Sequence, residues 1–146
     1  MTQGFGDLGF ALSLAAIGSG LGAGAAGMAA IGAWKKAFLQ NKAAAFLMVA
    51  FVGAPLSQTI YGMILQKAIQ GANLPPDTWL LQLLLGVGGG LAMGMSAWMQ
   101  GMAGARACDA FGETGKGFGN YIMVLGVIET VAIFVMVFLL GAVPKG

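Results

Sequence analysis

Tyr121-Ile-Met-Val-Leu-Gly-Val-Ile-Glu129-Thr-Val-Ala-Ile-Phe-Val-Met-Val-Phe-Leu-Leu140 is an apolar run with one acid, Glu129, near its centre. No other charge stands between Lys116 and Lys145. A helix needs about 20 apolar residues to cross a bilayer, and this run supplies them. A carboxylate in the middle of such a helix costs about 2.5–3.5 kcal/mol on insertion scales. Such a group is kept where it has a partner and a task, so Glu129 is the first candidate functional residue.

The rest of the chain has the same character. Of its 146 residues 58% are apolar and only 8% charged, against about 25% charged in a soluble domain. The length is used by membrane spans, leaving no room for a separate soluble domain. A net charge of +2 with no basic cluster gives nothing for nucleic acid to bind. There is no His, and Cys108 is the only thiol. That excludes His/Cys metal centres, a disulfide framework and His-based catalysis. No phosphate-binding loop is present either. No catalytic residue and no organic cofactor are expected; the chain is read as a non-enzyme. The N-terminal Met-Thr-Gln-Gly-Phe-Gly-Asp7 lacks the positive region of a cleavable signal. The first apolar segment is therefore expected to be retained as a span.

Charges and turn residues divide the chain into four spans, at about 8–33, 44–69, 79–105 and 118–143. Each is long enough for a helix to cross the membrane. None has the period-2 alternation of a barrel strand. The fold class is an all-α membrane protein. The loops after the first and third spans carry Lys35, Lys36, Lys42, Arg106 and Lys116, while the opposite side has only Lys67 and Lys145. Cytoplasmic loops collect Lys and Arg, so both termini are expected on the non-cytoplasmic side.

The two halves are alike. Gly18-Ser-Gly-Leu-Gly22 through Gly32-Ala33 lies over Gly90-Leu-Ala-Met-Gly94 through Gly104-Ala105 at a shift of 72. With one-residue adjustments Phe38 falls on Phe111 and Gln58 on Glu129. The chain reads as two duplicated helical hairpins, residues 1–72 and 73–146, each returning the chain to the side it left.

Glycine concentrates in the first and third spans. The pairs Gly18/Gly22, Gly20/Gly24 and Gly90/Gly94 have the small-xxx-small spacing that lets membrane helices approach closely. Small residues spread over much of those two helices, whereas the second and fourth spans carry bulky Leu, Ile, Val, Phe and Met. A four-helix bundle alone gives no reason for that asymmetry. A closed ring of copies does, with the first and third helices inside and the second and fourth outside.

Few polar groups besides Glu129 lie deep in the spans. The second contains Pro55-Leu-Ser57-Gln58-Thr-Ile-Tyr61, in which Ser57, Gln58 and Tyr61 share one sector of a helix. Pro55 has no N–H and disturbs the hydrogen bonds of nearby carbonyls. The third span adds Gln100. Together they supply one carboxylate, two amide oxygens, a hydroxyl, backbone carbonyls and a phenol. That set suits a hard monovalent cation such as Na⁺ and not Zn²⁺ or Cu²⁺, which favour N and S ligands. The Tyr61 phenol could instead donate to the carboxylate.

This pattern resembles the membrane-ring proteolipid, known as K or c, of V-type and bacterial V/A-type rotary ATPases. The resemblance covers essentially the whole chain: four spans, two hairpins, glycine-rich odd helices and a carboxylate in the fourth helix only. The sodium-carrying members are similar in a Pro-x-[Thr/Ser]-Gln-x-x-Tyr stretch, a Gln-Gly in the third helix and the fourth-helix Glu. Here these are Pro55, Ser57, Gln58 and Tyr61, then Gln100-Gly101, then Glu129. Ser57 stands where Thr is common, and it keeps the hydroxyl. The resemblance implies Na⁺ ligands from Glu129, Gln100, Gln58, Ser57 and the Ala54 carbonyl, with Tyr61 hydrogen-bonded to Glu129. Many proton-carrying members lack much of this oxygen shell, so Na⁺ is the first reading and H⁺ the alternative.

The resemblance further implies copies in a ring, a stator membrane subunit and a central stalk at the cytoplasmic loops. The outer surface would meet lipid, in a bacterial or archaeal plasma membrane. A small multidrug antiporter also has four spans and one buried Glu. It expects that Glu in the first span with an aromatic cage for a lipophilic cation; this first span has no acid and few aromatics.

Overall fold

In a bilayer every backbone N–H and C=O must be paired within the protein, which leaves these apolar segments the helix as their conformation. The computed structural model describes residues 5–144, and among them there is helix and turn but no strand. Four helical segments are long and apolar enough to cross a membrane. Helix α1 covers Phe10–Leu39. The second span is built in two pieces, α2 (Met48–Gly53) and α3 (Ser57–Gly71), joined by a 3₁₀ turn at Ala54–Leu56. Helix α4 covers Trp79–Thr114 and α5 covers Phe118–Ala142. Of the seven basic residues, Lys145 lies outside the described ones.

Two helices outrun the spans expected at 8–33 and 79–105. At 1.5 Å per residue the 30 residues of α1 and the 36 of α4 extend roughly 45 and 54 Å, well beyond a ~30 Å hydrocarbon core. Lysine and arginine end a membrane span without ending a helix, since both are good helix formers. Helix α4 stops where Gly115 takes the left-handed conformation and donates its N–H to the Phe111 carbonyl at 2.8 Å. The second span starts at Met48 and not at 44, because the chain there is still turning. The Ala45 carbonyl accepts the indole N–H of Trp34 at 3.0 Å. The break at Ala54–Leu56 follows from Pro55, whose missing N–H and ring disfavour a regular α turn.

The closest packing is between α1 and α4. A Cβ on Gly18 would run into the Gly94 backbone, and one on Gly101 into the backbone of Gly22. Gly90 faces the Phe10 carbonyl and Gly94 the Leu14 carbonyl, where a Cβ would come within 2.6 and 2.5 Å. Small residues thus let two backbones touch, the means by which helices associate in lipid. Gly20, Gly24 and Gly32 behave differently: a Cβ on any of them would meet nothing among the described residues. They lie on a face of α1 that the other described elements leave uncovered.

The buried apolar side chains form two clusters. One gathers Ala11, Ala15, Leu65, Ile69, Met93 and Ala132. The other gathers Met48, Phe51, Ala107, Cys108, Phe111 and Leu125, with Phe51 in ring contact with Phe111, Phe118 and Tyr121. Between these clusters α3, α4 and α5 contribute polar side chains, among them Gln58, Gln100 and Glu129.

Candidate functional site

The interruption at Pro55 sets the polar layer. Where the span tightens to a 3₁₀ turn at Ala54–Leu56, α3 begins at Ser57, and its first two turns direct Gln58 toward α4 and Tyr61 toward α5. Ser57 Oγ stands 3.2 Å from both the Ala54 carbonyl and Gln58 Oε1, and can donate to either. Gln58 is fully buried, and its Nε2 donates to Gln100 Oε1 at 2.8 Å. Gln100, equally buried, donates from Nε2 to the Leu125 carbonyl at 2.9 Å and to Glu129 Oε2 at 3.3 Å. From the other side the Tyr61 phenol donates to Glu129 Oε1 at 2.7 Å. The result is one chain of contacts, Ser57–Gln58–Gln100–Glu129–Tyr61, drawn from three helices.

Every sequence-predicted polar residue is in this chain, and the Ala54 carbonyl is at its start. Each carboxylate oxygen of Glu129 has one neutral donor. Among the described residues the single ion pair is Lys36–Glu113, at 2.8 Å and more than half exposed on both sides. Glu129 therefore meets no fixed cation among the described residues. Nor does any group of three His, Cys, Asp or Glu come together among the described residues in a way that would hold a multivalent metal. The arrangement offers a half-buried single negative charge with amide, hydroxyl and carbonyl oxygens close by. Such a set can neutralise one monovalent cation or one proton.

One polar residue at this level escaped the sequence reading. Ser96, 6% exposed, stands one turn before Gln100 on α4 and donates to the Ile128 carbonyl at 2.9 Å. In Met95-Ser-Ala97 it reads as one more small packing residue, and nothing in that spacing marks its hydroxyl as aimed at α5. The glycines singled out for packing divide by contact: Gly18, Gly22, Gly90 and Gly94 all meet the facing helix backbone, as described for α1 and α4.

Comparison with known proteins bears on what this geometry belongs to. Residues 83–140 match the family model for the C subunit of ATP synthase. Over 141 residues the chain is 33% identical to the A-type ATP synthase subunit K of Methanocaldococcus jannaschii. That alignment takes in 94% of this chain and 61% of the archaeal protein, so the chain spans about three fifths of its relative's length.

Proposed function

We propose, from the two matches above, that the chain is a member of the membrane-ring proteolipid family of V/A-type ATPases and ATP synthases and a rotor element that holds one Na⁺ at Glu129. Copies assemble into a ring with α1 and α4 inside and the Pro55-broken second span and α5 outside. The two duplicated hairpins, 1–72 and 73–146, place a carboxylate in one half and Gln58 in the corresponding slot of the other. The chain itself hydrolyses nothing. The bare glycine face of α1 supports the ring, since Gly20, Gly24 and Gly32 meet no partner among the described residues.

One observation carries the reading: a carboxylate near the middle of α5 surrounded by neutral oxygens and amides, with no basic side chain among the described residues paired to it. A bare carboxylate facing hydrocarbon is too costly to pass through lipid. Glu129 must therefore be neutralised before the ring turns past the membrane. An arriving Na⁺ would take ligands from Glu129, Gln58 Oε1, Gln100 Oε1, Ser57 Oγ and the Ala54 carbonyl, with the Ser57 hydroxyl and the Gln58 amide giving up their present hydrogen bonds. The Tyr61 phenol holds the carboxylate in both states. On re-entering the stator the site meets a cationic partner residue and releases its ion. The transmembrane potential acts on each transferred charge with about 2.3 kcal/mol per 100 mV. Lys35, Lys36, Lys42, Arg106 and Lys116 mark the cytoplasmic side, where the central stalk would sit, and both termini lie opposite.

Carbodiimide labelling of the purified ring tests this. The reagent attacks a protonated carboxyl, so a bound Na⁺ slows its reaction at Glu129. Slowing by Na⁺ supports the sodium reading. Labelling at Glu129 that Na⁺ leaves untouched at every pH where the acid reacts would assign the same rotor role to H⁺.

A further inference from the structure

We propose that Ser96 is the positioning residue that fixes the rotation of α5, and through it the Na⁺ selectivity of the Glu129 site. The inference rests on the sodium reading above and deepens it.

Glu129 is attached to the span least buried within its own chain. Of the 25 residues of α5 only Leu125 and Ala132 are buried, and its remaining surface is largely exposed Val, Met and Phe. Apolar contact alone leaves such a helix free to roll about its axis, because lipid tails are as favourable as a neighbouring Val. What resists rolling is directional. Helix α4 sends two donors, one turn apart, to two carbonyls of the same α5 turn: Gln100 Nε2 to Leu125 at 2.9 Å and Ser96 Oγ to Ile128 at 2.9 Å. Leu125 O is also the acceptor of the Glu129 N–H in a regular helix, and Ile128 directly precedes Glu129. The pair clamps the turn that carries the carboxylate.

The two donors are not equivalent. Gln100 also binds Glu129 itself and Gln58, and an ion would draw on its oxygen. Ser96 donates to the Ile128 backbone alone, so it can hold α5 still while Gln100 exchanges partners. The lever is long. With side-chain tips roughly 5–6 Å from the axis, a roll of about 20° moves a carboxylate oxygen by about 2 Å. That breaks contacts of 2.7 and 3.3 Å. A proton needs one oxygen and tolerates such movement. Na⁺ needs several oxygens at once and does not. Ser96 thereby bears on Na⁺ binding more than on the reactivity of the empty acid.

Rings of the unaltered protein, Ser96→Ala and Ser96→Thr would be labelled at Glu129 with carbodiimide across a Na⁺ series, with recovery of intact rings scored alongside. The Na⁺ concentration that halves the labelling rate is expected to rise about 3- to 15-fold in Ser96→Ala. It returns toward the unaltered value in Ser96→Thr, which keeps the hydroxyl. The unprotected rate and ring recovery stay within about twofold. Should Ser96→Ala yield no rings, Ser96→Cys, with a similar volume and a weak donor, carries the same comparison. Equal Na⁺ protection in Ser96→Ala and the unaltered ring overturns the inference alone. So does a loss of ring recovery in step with the loss of protection. An unaltered ring that Na⁺ does not protect overturns the sodium reading and the inference together.

Discussion

Asp7 and Glu129 are both carboxylates removed from water, and they are held in opposite ways. Asp7, fully buried at the start of α1, accepts two backbone N–H groups, from Gly9 at 3.1 Å and Ala11 at 2.8 Å. It lies against Gly86 of α4, where a Cβ would collide with its carboxylate. Glu129 accepts side-chain donors, from Tyr61 and Gln100 on two other helices. Backbone donors at a helix start are fixed by the helix, and its dipole favours an acceptor there. Side-chain donors can turn away and be replaced by an ion. The first carboxylate is paired with its own helix start; the second, on the function proposed above, exchanges partners.

That contrast can be broken or sharpened by substitution. Glu129→Gln has the largest expected effect, loss of coupled ion transport to background, more than about 100-fold. The ring should still assemble, because the amide can keep contacts to Tyr61 and Gln100; transport in reconstituted vesicles and detergent-resistant ring recovery read the two quantities. Gln100→Ala removes an oxygen and leaves the Gln58 amide without its acceptor. It should weaken Na⁺ protection of Glu129 by about 10- to 100-fold. Tyr61→Phe removes a donor that is not an ion ligand, and a smaller weakening of about 3- to 10-fold is expected in the same assay. Asp7→Ala should leave Na⁺ protection within about twofold while lowering stability by about 1 kcal/mol, through loss of the two backbone hydrogen bonds it accepts. If Asp7→Ala moved Na⁺ protection as far as Tyr61→Phe does, the distinction between the two carboxylates would fail.

The parts of the fold that follow from composition were legible in the chain itself. Spans of 20 or more apolar residues have one conformation open to them in lipid, and Pro55 marks the interruption of the second because it lacks an N–H. The residues of the polar layer stood out because Gln58, Gln100 and Glu129 are costly in such surroundings. Helix ends were less legible, since Lys35-Lys36 and Arg106 stop the membrane span and not the helix. Ser96 was hidden for a different reason. A serine is small enough to pass for packing, and its bond to Ile128 depends on how α5 is rotated against α4, which no spacing within either helix specifies. Asp7 is similar: its partners are backbone groups two and four residues on, set by the turn at Gly9 with φ 85°.

Equilibrium binding of radioactive Na⁺ to the purified ring tests the central claim most directly. The account predicts saturable binding of one ion per chain, abolished by Glu129→Gln. Absence of saturable binding, or equal binding by the Glu129→Gln ring, would contradict it.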